Sequence, residues 1–219
     1  VVIVPDADGV AKNIEYGKEV LLQKSAFVED ALRTKLGKVD WLFVLAGGGG
    51  GTGSACSVLH ETFERYLSSV GAGGKVFYIM TWPSAQESLN HTIVKNAFSL
   101  SNDLAEHPHI VLSNERQLGF LRGKVGIVNM FPTANTAFAK LFHQILKLSS
   151  EQSSIQTFDS KDLERCFSTP KRTFIGSTLI QNAKSPNLGS EIFQNCVKKS
   201  PCYEMKGDPK TGTILLIIS

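Results

Sequence analysis

Residues 45–55, LAGGGGGTGSA, decide the fold. They close a continuous apolar run, Trp41–Ala46 (WLFVLA), of the kind expected for a strand buried on both faces. Six glycines then fall within the seven positions 47–53, and residues from about 54 to 70 put Leu59, Phe63, Tyr66, Leu67 and Val70 on one helical face. A strand that empties through polyglycine into a helix brings backbone N–H groups close to an anion. No Cβ obstructs the approach, and the helix dipole adds positive potential. A plain crossover does not need so many glycines, because each adds to the entropy lost on folding. Gly48, Gly49, Gly50, Gly51 and Gly53 therefore read as a phosphate cradle, with the hydroxyls of Thr52 and Ser54 as further donors.

Two familiar nucleotide loops fail on a named residue. A P-loop places lysine directly after its last glycine, and here Ser54 follows Gly53. A dinucleotide fingerprint wants an acid at the end of the next strand, about 20 residues on. The next apolar run, within KVFYIMTW (75–82), ends without one. A dinucleotide-dependent enzyme is therefore the weakest of the functional readings.

Outward from the loop, strands and helices alternate. On the N-terminal side lie an apolar run at Val1–Val4, a polar loop with Gly9, Asn13 and Gly17, and a helix over 18–36. On the C-terminal side come a buried strand at Val76–Met80, a helix near 86–105, a short strand at Ile110–Leu112 and a loop holding Asn114. A long helix then runs from Pro132 to Leu148, with proline suited to its first turn. The polar stretch SSEQSSIQTFDSKD follows, then a strand at Thr173–Ile180, a helix near 189–199 and a strand at Thr213–Ile218. Such alternation predicts an α/β fold: a parallel-sheet nucleotide-binding domain with helices on both faces, a long central helix, and the start of a second α+β subdomain. The expected boundaries are 1–150, a connecting 151–171 and the second subdomain from 172.

Composition narrows the classes. With 23 Lys and Arg against 20 Asp and Glu, the formal charge of +3 over 219 residues makes no case for direct nucleic-acid binding. No apolar run approaches the roughly 20 residues of a membrane span, so membrane insertion is not expected. Cys56, Cys166, Cys196 and Cys202 form no metal-type pair, and the default is a reduced, cytoplasmic setting. Cys56 lies just inside the phosphate-loop helix, where the dipole would lower its pKa. The chain starts within an apparent strand and ends in another, as a piece cut at both ends would.

The run Gly49-Gly50-Gly51-Thr52-Gly53-Ser54 resembles the signature loop GGGTG[ST]G of the tubulin/FtsZ superfamily, with Ala55 in place of its last glycine. Five further stretches match in the family's order. DGVAKNIEYGKE (8–19) looks like its second phosphate loop, with Gly9, Asn13 and Gly17 at the marker positions. WPSAQESLNH (82–91) resembles the sugar loop: Glu87 takes the place of the ribose-binding acid, and His91 stands where FtsZ has arginine. SNERQL (113–118) points to Asn114 as a reader of the guanine edge. In FPTAN (131–135), Phe131 would stack on the base and Asn135 would read it, on one helix face at i, i+4. TFDSKDLERCF (157–167) resembles the co-catalytic loop, with Asp159 and Asp162 at its acidic positions and a helix-capping role open to both.

The resemblance implies a GTPase that binds GTP and GDP with Mg2+ held mainly by phosphates and water. It would assemble with copies of itself, head to tail, into protofilaments. Asp159 and Asp162 would act on the neighbour's GTP. A prokaryotic, phage or plasmid member is implied, serving cell division or DNA partitioning, with an adaptor linking filament to DNA or membrane. The alternative is a nucleotide-binding regulatory paralogue with little turnover, suggested by His91 and Ala55.

Overall fold

The computed structural model describes residues 9–71, 73, 75–149, 159–168, 170–180, 182 and 184–204. Its helices are α1 (Ile14–Gln23), α2 (Ser25–Leu36), α3 (Gly51–Ala55), α4 (His60–Ser69), α5 (His91–Asp103), α6 (Asn114–Leu121), α7 (Met130–Leu148), α8 (Ser160–Phe167) and α9 (Leu188–Lys199). Its strands are β1 (Trp41–Gly47), β2 (Lys75–Trp82), β3 (His109–Ser113) and the two-residue β4 (Arg172–Thr173). They form one sheet in the order β1-β2-β3-β4, with β1 and β2 parallel and Trp41 opposite Lys75. The architecture is the expected α/β one, a parallel sheet flanked by helices. The chain divides into two compact units, 1–112 with 170–172, and 113–169 with 173–219.

The first unit holds most of the sheet. In β2 the five consecutive residues Val76–Met80 are all buried, as a strand covered on both faces requires. β1 departs from that expectation. Leu42 and Ala46 are buried but Leu45 is 71% exposed. The expected helix over 18–36 is two helices meeting at Lys24. It starts earlier, with Gly17 inside α1, because Asn13 caps the helix at Tyr16 N. α1 buries Ile14, Gly17 and Leu21, whereas α2 buries no residue and meets α4 through the Arg65–Glu29 ion pair and the Arg33–Ser69 hydrogen bond. The break lets each helix follow its own partner. The helix after the glycines also begins early, at Gly51, and passes through a 3-10 turn, Cys56–Leu59, into α4.

The second unit is mostly helical. Phe138, Phe142 and Phe167 form a ring contact series joining α7 to α8. The expected strand over 173–180 is not laddered beyond Thr173. Around Ile175 the backbone groups are taken by side chains instead: Ser200 Oγ donates to the Ile175 carbonyl, and Ile175 N donates to Cys202 Sγ. The apolar runs at Val1–Val4 and Thr213–Ile218, and most of the polar loop before Asp159, lie outside the described residues. Among the described residues no helix is long and apolar enough to cross a membrane.

Candidate nucleotide site

In the first unit, three segments converge at the carboxyl end of β1. The first is the glycine loop. Gly48 N extends the ladder by donating to the Thr81 carbonyl at 3.0 Å. Gly53 passes so close to β1 that a Cβ there would meet the Gly47 carbonyl at 2.5 Å. A Cβ on Gly51 would collide with Val10 and lie 3.1 Å from Asn13 N. These glycines are demanded by the packing of the loop itself. Gly50 is different: it is exposed, its φ of −83° suits any residue, and a Cβ would touch nothing within 4 Å. The open side of the loop is therefore at Gly50 and the neighbouring, exposed Thr52.

The second segment is the turn Val10–Asn13, closed by Asn13 N donating to the Val10 carbonyl at 2.7 Å. Its central residues, Ala11 and Lys12, have φ of 44° and 66°, a left-handed pair usually left to glycine and asparagine. The turn is drawn onto the glycine loop by α1, where a Cβ on Gly17 would lie 3.1 Å from both Gly51 O and Ala55 Cβ. Ala55, which replaces the signature's last glycine, is fully buried in that contact. Asn13 spends its side chain on the α1 cap, accepting from Tyr16 N at 3.1 Å. Gly9 precedes the turn, exposed, with nothing near a would-be Cβ.

The third segment runs from β2 into α5. Glu87 accepts from Ser84 N at 2.7 Å through Oε2, so its carboxylate is locally engaged and its direction fixed. His91 is the exposed first residue of α5, behind the cap Asn90. Asn96, in the middle of α5, is the site residue that the sequence reading missed. It is 1% exposed, and its Nδ2 donates to the Lys12 carbonyl at 2.8 Å and more weakly to the Gly49 carbonyl at 3.4 Å. The signal was present: an asparagine stands on the stripe Ile93, Ala97, Leu100 that should be apolar.

Phosphate chemistry fits this arrangement. The Ser54 hydroxyl is buried with no hydrogen-bond partner, an orphan donor of the sort a structure keeps for a ligand or water. Cys56 corrects the expectation of a lowered pKa. Burial, with Asp103 nearby, pushes the thiol up to about 11, so it is a neutral side chain and no thiolate.

The remaining expected residues belong to the second unit. Asn114 is not in a loop. It opens α6, whose cap Ser113 accepts from Arg116 N at 3.2 Å. Phe131 and Asn135 lie in the first turns of α7, both exposed. Asp159 and Asp162 make a capping box on α8: Asp159 Oδ1 accepts from Lys161 N at 2.8 Å and Asp162 N at 3.1 Å, while Asp162 Oδ2 accepts from Asp159 N at 3.4 Å. Asp159 Oδ2 and Asp162 Oδ1 carry none of these bonds.

The parallel sheet, its polyglycine crossover and the flanking helices match the tubulin/FtsZ fold. Among solved structures, it is similar to the tail-truncated TubZ of Clostridium botulinum phage c-st, with a TM-score of 0.68 and 17% identity over 94% of this chain and 62% of that one. CetZ2 of Haloferax volcanii, solved as a GTPγS-bound protofilament, gives 0.69 and 18% over 88% and 56%. The empty FtsZ dimer of M. jannaschii gives 0.60 and 19% over 86% and 51%. The chain thus spans about half to three fifths of the structures it matches. No protein-family model and no curated protein matches the sequence.

Proposed function

We propose that the chain binds guanine nucleotide, hydrolyses GTP and assembles head to tail with its own copies. The observation that carries this reading is the open backbone at Gly50, flanked by Thr52 and the orphan hydroxyl of Ser54 and braced by the Asn13 turn. It occurs in a fold that a GTPγS-bound protofilament shares. In this reading, N–H groups of Gly49–Gly53 and the hydroxyls of Thr52 and Ser54 hold the phosphates, with Gly9 and Asn13 near the terminal one. Glu87 and His91 take the sugar. Asn114, Phe131 and Asn135 hold guanine, by hydrogen bonding and stacking. Mg2+ would rest on phosphate oxygens and water.

Hydrolysis needs a water aimed at the terminal phosphorus and a base to orient it. Asp159 and Asp162, exposed and half-buried, are held by their capping box in one direction. Their unengaged oxygens suit acceptance of a proton from water on the nucleotide of an adjacent copy. A site completed by the next copy in line is a head-to-tail contact, and such a contact propagates into a filament when its rotation does not close.

The test is GTP binding by the full chain, followed by phosphate release at rising protein concentration. The expected result is selective binding of GTP over ATP and a rate per molecule that climbs with concentration. Asp162→Ala should bind GTP with unchanged affinity and release phosphate at least tenfold more slowly. Unaltered turnover in that variant removes the catalytic role from Asp162. The second reading, a regulatory nucleotide holder, is favoured by the histidine at 91 and predicts tight GTP binding with no release at any concentration.

A further inference from the structure

We infer that Asn96 is a positioning residue that locks the Val10–Asn13 turn to the glycine loop and so fixes the geometry of the phosphate site. This inference rests on the nucleotide reading above for its purpose, though not for its geometry. Asn96 is a polar side chain in the buried stripe of α5, between Ile93 and the fully buried Ala97 and Leu100. Burying an amide there is unfavourable unless its hydrogen bonds are made. Those of Nδ2 are made to backbone alone, to the carbonyls of Lys12 and Gly49, which lie 37 residues apart in sequence and belong to the two loops of the site.

The turn needs such a restraint. Ala11 and Lys12 both hold positive φ, where a Cβ is disfavoured, and the turn's own closing bond runs only from Asn13 N to Val10 O. Within the strained pair, Asn96 fastens the Lys12 carbonyl. Around Gly49 the same helix contributes Ile93, whose Cγ2 fills the space a Cβ would need at 2.6 Å. One face of α5 thus grips both loops, while its first residue is His91. An α5 displaced by ligand at its N-terminus would carry the turn and the glycine loop with it.

The experiment compares Asn96→Leu, which keeps the branched shape and removes the donor, and Asn96→Ala with Leu100→Ala, a truncation on the same buried stripe. Segment-resolved amide deuterium uptake is measured without nucleotide, and the dissociation constant for GDP separately. In both Asn96 variants, uptake over residues 9–13 and 47–53 is expected to quicken at least tenfold while β2 stays protected, and GDP affinity to fall at least tenfold. Leu100→Ala is expected to lower the melting temperature without selective uptake in those segments. Unchanged uptake there in Asn96→Leu, or the same selective uptake in Leu100→Ala, overturns the inference. Wild-type chain that fails to bind GDP sinks the nucleotide reading alone, and uptake still decides the lock. Wild type and Asn96→Leu binding GDP equally well sinks the lock alone.

Discussion

The glycines of residues 47–53 do not share one reason for being glycine. Gly53 is packed against its own strand, since the Gly47 carbonyl occupies the space a Cβ would need. Gly53→Ala should therefore cost about 2–3 kcal/mol or more, because backbone has to move, and urea denaturation would show it. Gly50 has open space and an ordinary φ. Gly50→Ala should leave stability within about 1 kcal/mol of the parent, or slightly raise it. Its GTP affinity should fall at least tenfold, because the methyl stands where phosphate approaches. Normal binding by that variant would place the phosphates elsewhere. The acids can be separated in the same manner. Asp159→Asn keeps an acceptor that caps α8 well, whereas Asp159→Ala loses about 1 kcal/mol of helix stability. A hydrolysis defect in the asparagine variant with an unchanged melting temperature would therefore assign the charge a role of its own. A defect confined to the alanine variant would assign only the cap.

At the scale of elements, the sequence was legible where apolar period and buried length agree. β2, β3 and α7 lie within a few residues of expectation, because each is a long or dense apolar pattern. It was less legible where side chains replace a ladder. The segment after Thr173 reads as a strand from its β-branched residues, yet Ser200 and Cys202 take its bonds. α6 was missed because NERQLGFL is short and weakly patterned, and its support is Arg116. That guanidinium donates to the carbonyls of Val197, Lys198 and Ser200 at 2.8, 3.0 and 3.1 Å, closing the C-terminal end of α9 from another helix. Arg116→Ala should destabilise the second unit by roughly 2 kcal/mol. Arg116→Lys should recover only part of that, since one ammonium nitrogen cannot replace the two separate donor nitrogens, Nε and an Nη, that the planar guanidinium uses here. Thermal melts of the two variants check the order.

β3 predicts a pH response. Burial lowers the pKa of His107, with His60, its ring tilted against it at 3.9 Å, adding to the shift against the opposing Glu64 and Glu106. Burial also lowers that of His109, where Arg172 adds and the bond to the His107 carbonyl opposes. A folded pKa below the unfolded one, about 6.5, means that the unfolded chain binds more protons over that interval. Stability is then complete above pH 6.5 and declines as pH falls through 6.5 toward the lowered values. Urea midpoints should drop between pH 7.5 and 5.5, and His107→Gln should flatten the drop. An identical slope in that variant would remove His107 from the account.

For the whole molecule, half of the candidate site was legible and half needed the fold. The glycine loop of the candidate site could be picked out from six clustered glycines, because few ordinary roles tolerate so much backbone freedom. For Asn96 the odd placement on an apolar stripe was visible but its role was not, since its partners are loops far away in sequence. The reading that spans copies is tested by mixing. Asp162→Ala keeps its own cradle and lacks the acid it would lend. Gly50→Ala keeps the acid and has a blocked cradle. Each alone should release little phosphate. In a 1:1 copolymer with random order, an intact cradle meets an intact acid at about a quarter of the contacts. Phosphate release should then recover to about that fraction of the parent rate, while pelleting assays show that both variants enter the same assemblies. Co-pelleting without recovery would mean that each copy hydrolyses with its own residues, and the shared site would be abandoned.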